Sequence, residues 1–356
     1  MSKKRIGFVS YWGFARGLAY GTLIYAKMLK DEYDIFILKQ GTNPIAEEFK
    51  TVDVDVTEYP SYVVDKETFA NWIIDNNLDA VVFNEYGQWV EDKDNLPNLA
   101  KNLGCRVYGY LVMERFHSDQ TLEYDRIIAP TASYVKFMRA NKVRHFTYIP
   151  HSVDFKEFSG YKKMKNEKFV FFHPGGYGGV KDRKNTDAVV QAFLRLDNPD
   201  TELIITSQKP LKEKYAGLSD RITVIDEPLS RDNLLKFYFQ ADAVVLPSKW
   251  ETVGLPIIES LAAAVPVITT DIPPMNEFIR VGMNGYLCSP DMVTYSEIAI
   301  KVAEVSPLKI KTNMENIMNK DIYPMLAKNA KYVAEKLYNL ENNKHYFLDF
   351  LKEDLK

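Results

Sequence analysis

Two glutamates stand eight residues apart in SKWETVGLPIIESLAAAVPVITT, which runs from Ser248 to Thr270. Glu251 falls just before a predicted helix start and Glu259 inside the helix. An apolar strand, AVVLP, leads in, and Gly254, Leu255 and Pro256 open the helix. Proline suits a first helical position, because the N–H it lacks would have no partner there. The N–H groups of that turn, with the positive end of the helix dipole, favour an anion such as a diphosphate. Carboxylates are good acceptors for paired hydroxyls such as those of a sugar or a ribose. The arrangement suits a nucleotide sugar.

A second group lies in HPGGYGGVKDRKNTDAVVQAF, which follows a strand and opens a helix. Gly175, Gly176, Gly178 and Gly179 precede Lys181, Arg183 and Lys184. Glycines let the backbone approach a ligand, and the cations would neutralise a diphosphate leaving group. Nearer the start, SYWGFARGLAYGT carries Gly13, Arg16 and Gly17 between a strand and a helix. LVMERFHSD puts Glu114 and His117 after a strand's carboxyl end, where open α/β sheets place ligands. Glu85 ends another strand, AVVFNE. The competing structural readings are a solvated basic loop for Lys181 and Arg183, a plain turn for Gly13 and Gly17, a surface or core histidine for His117, and a helix cap for Glu85.

These residues need a frame. Apolar runs recur in the first half as RIGFVS, DIFILK, DAVVFNE, RVYGYLV and DRIIAP, and in the second as KFVFFHP, TELIITS, RITVID, DAVVLP and VPVITT. Helical spacing lies between many of them, as in GLAYGTLIYAKMLK, DAVVQAFLRL and RDNLLKFYFQ. Alternation of this kind predicts parallel sheets covered on both faces. The expected fold class is α/β, two doubly wound Rossmann-like domains, over 1–158 and 165–337, with a Lys-rich linker at SGYKKMKNEK. DVDVT, from Asp53 to Thr57, reads as an alternating strand rather than a metal site.

The segment from Ser248 to Thr270 resembles the signature of retaining nucleotide-sugar glycosyltransferases of the family 4 type, whose two-domain fold, with the domains facing a cleft, is called GT-B. The resemblance implies that Glu251 contacts donor-sugar hydroxyls, that Glu259 contacts the ribose, and that Thr252, Val253, Gly254 and Leu255 bind phosphate through backbone N–H groups. The family places an Arg soon after its glycine and a Lys several residues on, both on the diphosphate. Lys184 matches the Lys, and Gly176 marks the glycine. The Arg has no equivalent, since Tyr177 and Gly178 follow; Arg183 or Lys181 compensates, or turnover is weaker.

By the same resemblance the loop of Gly13 lies beneath the donor, with Arg16 on phosphate or acceptor. Glu114 or His117 takes the place of a family histidine that supports donor sugar or acceptor, and Glu85 lines the acceptor side. Asp226 and Glu227 belong to a loop beside the base. YIPHSVDFKEF is similar to the family's interdomain segment, with His151 and Ser152 in place of Asn-Gly. The last helix, about 338–356, packs back on the first domain.

Composition sets the outer bounds. A chain of 356 residues, 46% apolar, has enough material for two cores, and a net charge of -3 gives no reason to expect a nucleic-acid partner. The basic start at Lys3, Lys4 and Arg5 precedes an apolar run too short for a signal peptide or span. The expected setting is the cytoplasm, with contact at the inner face of a membrane left open. Lys136, Arg139, Lys142 and Arg144 read as a solvated face ahead of a lipid-binding one. Cys105 and Cys288 read as packing residues without disulfide or metal role.

The expected activity is transfer of a sugar from a UDP- or GDP-type donor to a hydroxyl acceptor with retention, in glycan or surface polysaccharide synthesis and without a metal or cofactor. The alternatives are a degenerate nucleotide-sugar-binding protein, or an epimerase or phosphorylase of related fold.

Overall fold

The computed structural model describes residues 2–14, 17–85, 94–113, 116–176, 182–296 and 300–356. The chain divides into two compact units, Met1–Ser152 with Leu340–Lys356, and Val153–Asn339. The first holds β1 (Arg5–Ser10), β2 (Asp34–Gln40), β3 (Asp55–Tyr59), β4 (Ala80–Asn84), β5 (Arg106–Tyr110), β6 (Arg126–Ala129) and β7 (Phe146–Tyr148). They form a parallel sheet in the order β3-β2-β1-β4-β5-β6-β7. Ile6, Phe8, Val9 and Ala80 to Phe83 are buried, as strands covered on both faces require. The edge strand β3 is exposed at Asp55, Thr57 and Glu58 and half-buried at Val56 and Tyr59, and it takes in the last three residues of DVDVT. Helices α1 (Gly17–Leu29), α2 (Lys66–Asn76), α3 (Leu96–Asn102) and α4 (Ala132–Ala140) cross between strands. Asp65 and Thr131 cap α2 and α4 by accepting from the N–H groups of Thr68 and Tyr134.

The second unit repeats the plan with β8 (Phe169–Gly176), β9 (Thr201–Ser207), β10 (Ile222–Ile225), β11 (Ala243–Leu246), β12 (Val267–Thr270) and β13 (Gly285–Cys288). Their parallel order is β10-β9-β8-β11-β12-β13. A small antiparallel pair, β14 (Met292–Tyr295) and β15 (Lys301–Glu304), follows. The helices are α5 (Phe155–Phe158), α6 (Thr186–Leu194), α7 (Lys212–Tyr215), α8 (Arg231–Gln240), α9 (Leu255–Ala262), α10 (Met275–Phe278), α11 (Pro307–Ile317) and α12 (Tyr323–Leu337). All ten apolar runs read from the sequence are strands. β7, β13, β14 and β15, with the sequences FTY, GYLC, MVTY and KVAE, are not among those runs.

The boundary lies at Ser152, six residues ahead of the expected 158. Val153 donates its N–H to the Tyr338 carbonyl, and Phe158 packs against Phe239. The Lys-rich SGYKKMKNEK is no loose linker either. Tyr161 stacks on Phe239 at 5.2 Å, the Met164 N–H donates to the Phe239 carbonyl, and Asn166 Nδ2 donates to Gln240 O and the Asp242 carboxylate. Composition suggested solvation, and backbone pairing overrides it.

The last helix, α13 (Leu340–Asp354), belongs to the first unit, as the resemblance implied. Its Phe347 meets Tyr25 of α1 edge-on at 5.3 Å, and Asn343 Nδ2 donates to Ser152 Oγ at 2.9 Å. At its far end Asp354 accepts two bonds of 2.9 Å from the Arg106 guanidinium and one of 2.8 Å from the Tyr108 hydroxyl. Cys105 and Cys288 are both free and buried, one in each unit. Among the described residues no helix is long and apolar enough to cross a membrane.

Asp354→Ala leaves the buried Tyr108 hydroxyl and the Arg106 fork without their acceptor. Urea denaturation should show the first unit destabilised by about 1–3 kcal/mol; an unchanged midpoint would mean that α13 is held by its apolar face alone.

Candidate active site

The carboxyl ends of β8 and β11 are where the chemistry gathers. After β11, Ser248 Oγ donates to Glu251 Oε1 at 2.9 Å, and Thr270 Oγ1 pins the Ser248 carbonyl at 2.7 Å. Gly254 then takes φ 85, a left-handed conformation open to glycine, and caps α9. The helix starts at Leu255, so Pro256 occupies its second position rather than its first, still within the turn whose N–H groups lack partners. Ile257 donates its N–H to the Gly254 carbonyl, closing the first turn, and the N–H groups of Gly254 and Leu255 belong to the helix mouth. Thr252 and Val253 are buried beside them.

The second contribution comes from the turn between β8 and α6. Asp182 and Asn185 both have positive φ, at 50 and 58. Asp182 accepts from the N–H of Thr186 and, through its carbonyl, from that of Asn185 at 2.9 Å. Asn185 Nδ2 donates to Val305 O, and the Lys249 N–H donates to the Arg183 carbonyl at 2.8 Å. The turn is thereby fastened to the loop after β11, and its two cations reach Glu251. Lys184 Nζ donates to Oε1 at 2.5 Å and Arg183 Nη1 to Oε2. Gly176, at φ 54, faces open space where a Cβ would stand, while a Cβ on Gly175 would lie 2.9 Å from Thr206 O.

Glu251 is almost fully buried, and burial alone would push its carboxyl up. The charges of Arg183 and Lys184, with hydrogen bonds from Lys184 and Ser248, outweigh this and hold it down to about 2. His173, inside the apolar run of β8, supports the turn. Its Nδ1 lies 2.7 Å from the Val245 carbonyl, so that nitrogen carries the proton and donates, and Nε2 accepts from the Thr186 hydroxyl at 2.9 Å. Burial pushes its pKa down to about 4, with the neighbouring Lys184 charge acting the same way.

Glu259, on the second turn of α9, is likewise buried and held. Arg231 Nη1 donates to Oε1 and the Tyr238 hydroxyl to Oε2 at 3.0 Å. Arg231 also spans the Glu157 carboxylate, with Nε at 2.8 Å and Nη2 at 3.0 Å. Sequence reasoning missed Ser248, His173, Glu157, Arg231 and Tyr238. Two of them left a signal: a histidine in a continuous apolar strand, and an arginine at the first position of a helix, where the dipole disfavours a cation.

The structure therefore brings Glu251, Lys184, Arg183 and Gly254 together, and Arg183 is paired with Glu251 rather than free in a solvated loop. The first unit gives less. Gly13, at φ 85, is needed because a Cβ there would sit 2.6 Å from Ile45 Cα, so the chain's own packing already requires a glycine at this position. Glu85 is buried just past β4 with φ 59, its N–H donating to Tyr110 O. His117 is exposed before the short helix Ser118–Glu123 and makes no side-chain cap. Arg16, Glu114, Lys181, Gly178 and Gly179 lie outside the described residues. Asp226, expected beside a base, accepts from the N–H groups of Leu211 and Lys212, both at 2.7 Å. Lys136, Arg139, Lys142 and Arg144 are exposed. Among the described residues no cluster of three or more His, Cys, Asp or Glu forms a metal site.

Two parallel Rossmann-like units, the second with this carboxylate and cation cluster at the carboxyl ends of its strands, define the GT-B fold of glycosyltransferases. The similarities agree. The chain matches a glycosyltransferase from Rickettsia africae over 100% of both chains, with a TM-score of 0.77 at 17% identity. Anabaena HepE in complex with UDP and glucose covers 98% of this chain, with a TM-score of 0.74 at 14% identity over 100% of its own. Residues 155–320, within the second unit, match the family model for glycosyl transferases group 1. Among curated relatives, the lipopolysaccharide core biosynthesis mannosyltransferase LpsB of Rhizobium meliloti is 31% identical over 155 residues, 38% of this chain and 43% of that protein. The N-acetyl-alpha-D-glucosaminyl L-malate synthase of Bacillus anthracis is 25% identical over 59% of this chain and 54% of its own. The chain thus spans about half the length of these relatives.

The two depressed pKa values set a pH dependence. His173 stays neutral in the folded state down to about 4 but takes a proton near 6.5 when unfolded, so its stabilisation is complete above 6.5 and is lost as pH falls toward 4. Glu251 adds a further loss below 4.5, as pH falls toward 2. His173→Gln should flatten the slope of unfolding free energy between pH 6.5 and 4, measured by urea denaturation. His151 of the first unit, also pushed down to about 4 by burial, leaves a residual slope in the same window. Identical slopes in wild type and variant would contradict this.

Proposed function

We propose that the protein is a retaining glycosyltransferase of the family 4 type, moving a sugar from a UDP- or GDP-type donor to a hydroxyl acceptor without a metal. The observation that carries this reading is Glu251, buried and ionised between Lys184, Arg183 and Ser248 at the mouth of α9. Desolvating three charges offsets most of their mutual attraction, so the cluster is a weak source of stability. It makes sense as a site waiting for substitutes. A diphosphate would take Glu251's place on the two cations, and sugar hydroxyls would take theirs on Glu251. The relative named for lipopolysaccharide core biosynthesis, and the neighbour solved with UDP and glucose, support the same class of donor and a role in glycan assembly.

The chemistry asked of these residues is electrostatic. As the bond from the anomeric carbon to the diphosphate oxygen breaks, negative charge grows on the leaving group. Lys184, Arg183 and the N–H groups of Gly254 and Leu255 meet that charge. The acceptor oxygen bonds to the anomeric carbon on the face being vacated, and its proton passes to a departing phosphate oxygen. Glu251 orients the sugar and Glu259 the ribose. Fixed cations and a helix dipole perform the neutralisation that a divalent ion performs elsewhere. Arg183, adjoining Lys184, serves as the phosphate-side arginine that the family carries nearer its glycine. Of the first-unit residues, His117, Glu114, Arg16 and Glu85 remain candidates for donor-sugar or acceptor contacts, to be tested by substitution.

With a panel of UDP- and GDP-sugars, release of nucleoside diphosphate should identify one preferred donor. On that donor Lys184→Met and Glu251→Gln should each lower kcat by about a hundredfold or more. Product anomeric configuration, read by proton NMR, should match the donor's, and EDTA should leave the rate unchanged. Inverted product, or activity abolished by EDTA and restored by a divalent ion, would refute the corresponding part. Turnover that survives Glu251→Gln intact would remove the site itself.

A further inference from the structure

The anchoring of Glu259 carries a consequence of its own. A carboxylate offers about four acceptor positions, two on each oxygen. Arg231 takes one on Oε1 and Tyr238 one on Oε2, and the Glu259 side chain keeps 8% exposure. Arg231 cannot choose its direction freely. Its Nε and Nη2 are fixed on both oxygens of Glu157, in the two-pronged geometry that guanidinium and carboxylate share, and Nη1 is the donor that reaches Glu259. Tyr238 is fully buried, so its hydroxyl has little choice of partner. Both oxygens of Glu259 are therefore clamped from the protein side before any ligand arrives, and the acceptor positions that remain have a fixed direction.

We propose that Arg231 and Tyr238 are positioning residues that aim the Glu259 carboxylate at the paired 2′ and 3′ hydroxyls of the donor's ribose, and thereby set selectivity for ribonucleotides over their deoxy counterparts. The inference rests on the reading of Glu259 as the ribose contact. A preset acceptor receives two hydroxyls without the entropy cost of freezing a carboxylate. A site built around such hydroxyls also discriminates against an analogue that lacks them, because the charged acceptor is then left unpaired. A purely structural role for the clamp would weaken every nucleotide alike and leave that discrimination untouched.

The test is titration calorimetry with UDP, GDP and ADP, each against its 2′,3′-dideoxy form. Wild type should bind the preferred ribonucleotide about 10- to 100-fold more tightly than the dideoxy form. In Arg231→Met and Tyr238→Phe that ratio should collapse toward one while dideoxy affinity stays within about threefold of wild type. Arg231→Lys, which keeps the charge but not the fork, should recover only part of the ratio and serves if the Met variant does not fold. Equal loss of both affinities with the ratio intact, or a preserved ratio in all three variants, overturns the proposal. Wild type that binds both forms equally overturns it as well, and leaves the donor reading standing. Wild type that binds none of the nucleotides overturns the donor reading, and this inference with it.

Discussion

Everything distinctive in the second unit depends on one buried, ionised carboxylate. Glu251 stays charged in a place that would otherwise neutralise it, because two adjacent cations and a serine hydroxyl surround it. That arrangement dictates the local backbone. Arg183 and Lys184 reach Glu251 because the turn before α6 adopts positive φ at Asp182 and Asn185, with Asp182 accepting two backbone N–H groups. His173 and Thr186 hold the same turn from beneath. Strain in the turn, a neutral histidine in the core and a left-handed glycine before α9 all serve to bring two loops within hydrogen-bond reach.

The two glutamates are treated differently although they sit on one short stretch of chain. Glu251 is held by groups that a phosphate could draw away, next to a helix mouth that also attracts anions. Glu259 is held by Arg231 and Tyr238, and Arg231 is itself committed to Glu157 on the first helix of the second unit. One carboxylate is arranged to exchange partners and the other to keep them. That division fits a site in which the diphosphate and sugar change during reaction while the ribose only has to be recognised.

Most of the frame was legible because long apolar runs such as FVFFHP and AVVLP have few readings other than buried parallel strands. The pair Glu251 and Glu259 was legible because a local turn, Gly-Leu-Pro, fixes where the helix starts. Contacts between residues distant in sequence were not. Nothing in the spacing links Arg231 to Glu157, 74 residues away, or Lys184 to Glu251, 67 away; only the sheet order brings them together. Gly13 is a related case, since the glycine reads as room for a ligand while its packing against Ile45, 32 residues on, is invisible in the sequence. The Lys-rich stretch after Phe158 misled for a related reason, since its backbone pairing is invisible in composition.

The central claim is that donor binding exchanges the partners of Glu251. The most direct measurement is a crystal structure with the nucleoside diphosphate sugar that the protein prefers. The account predicts diphosphate oxygens on Lys184 Nζ, Arg183 and the N–H groups of Gly254 and Leu255, with the 2.5 Å contact between Lys184 and Glu251 broken and Glu251 turned onto the sugar hydroxyls. A nucleotide sugar bound elsewhere, with Arg183, Lys184 and Glu251 still paired as they are now, would contradict it.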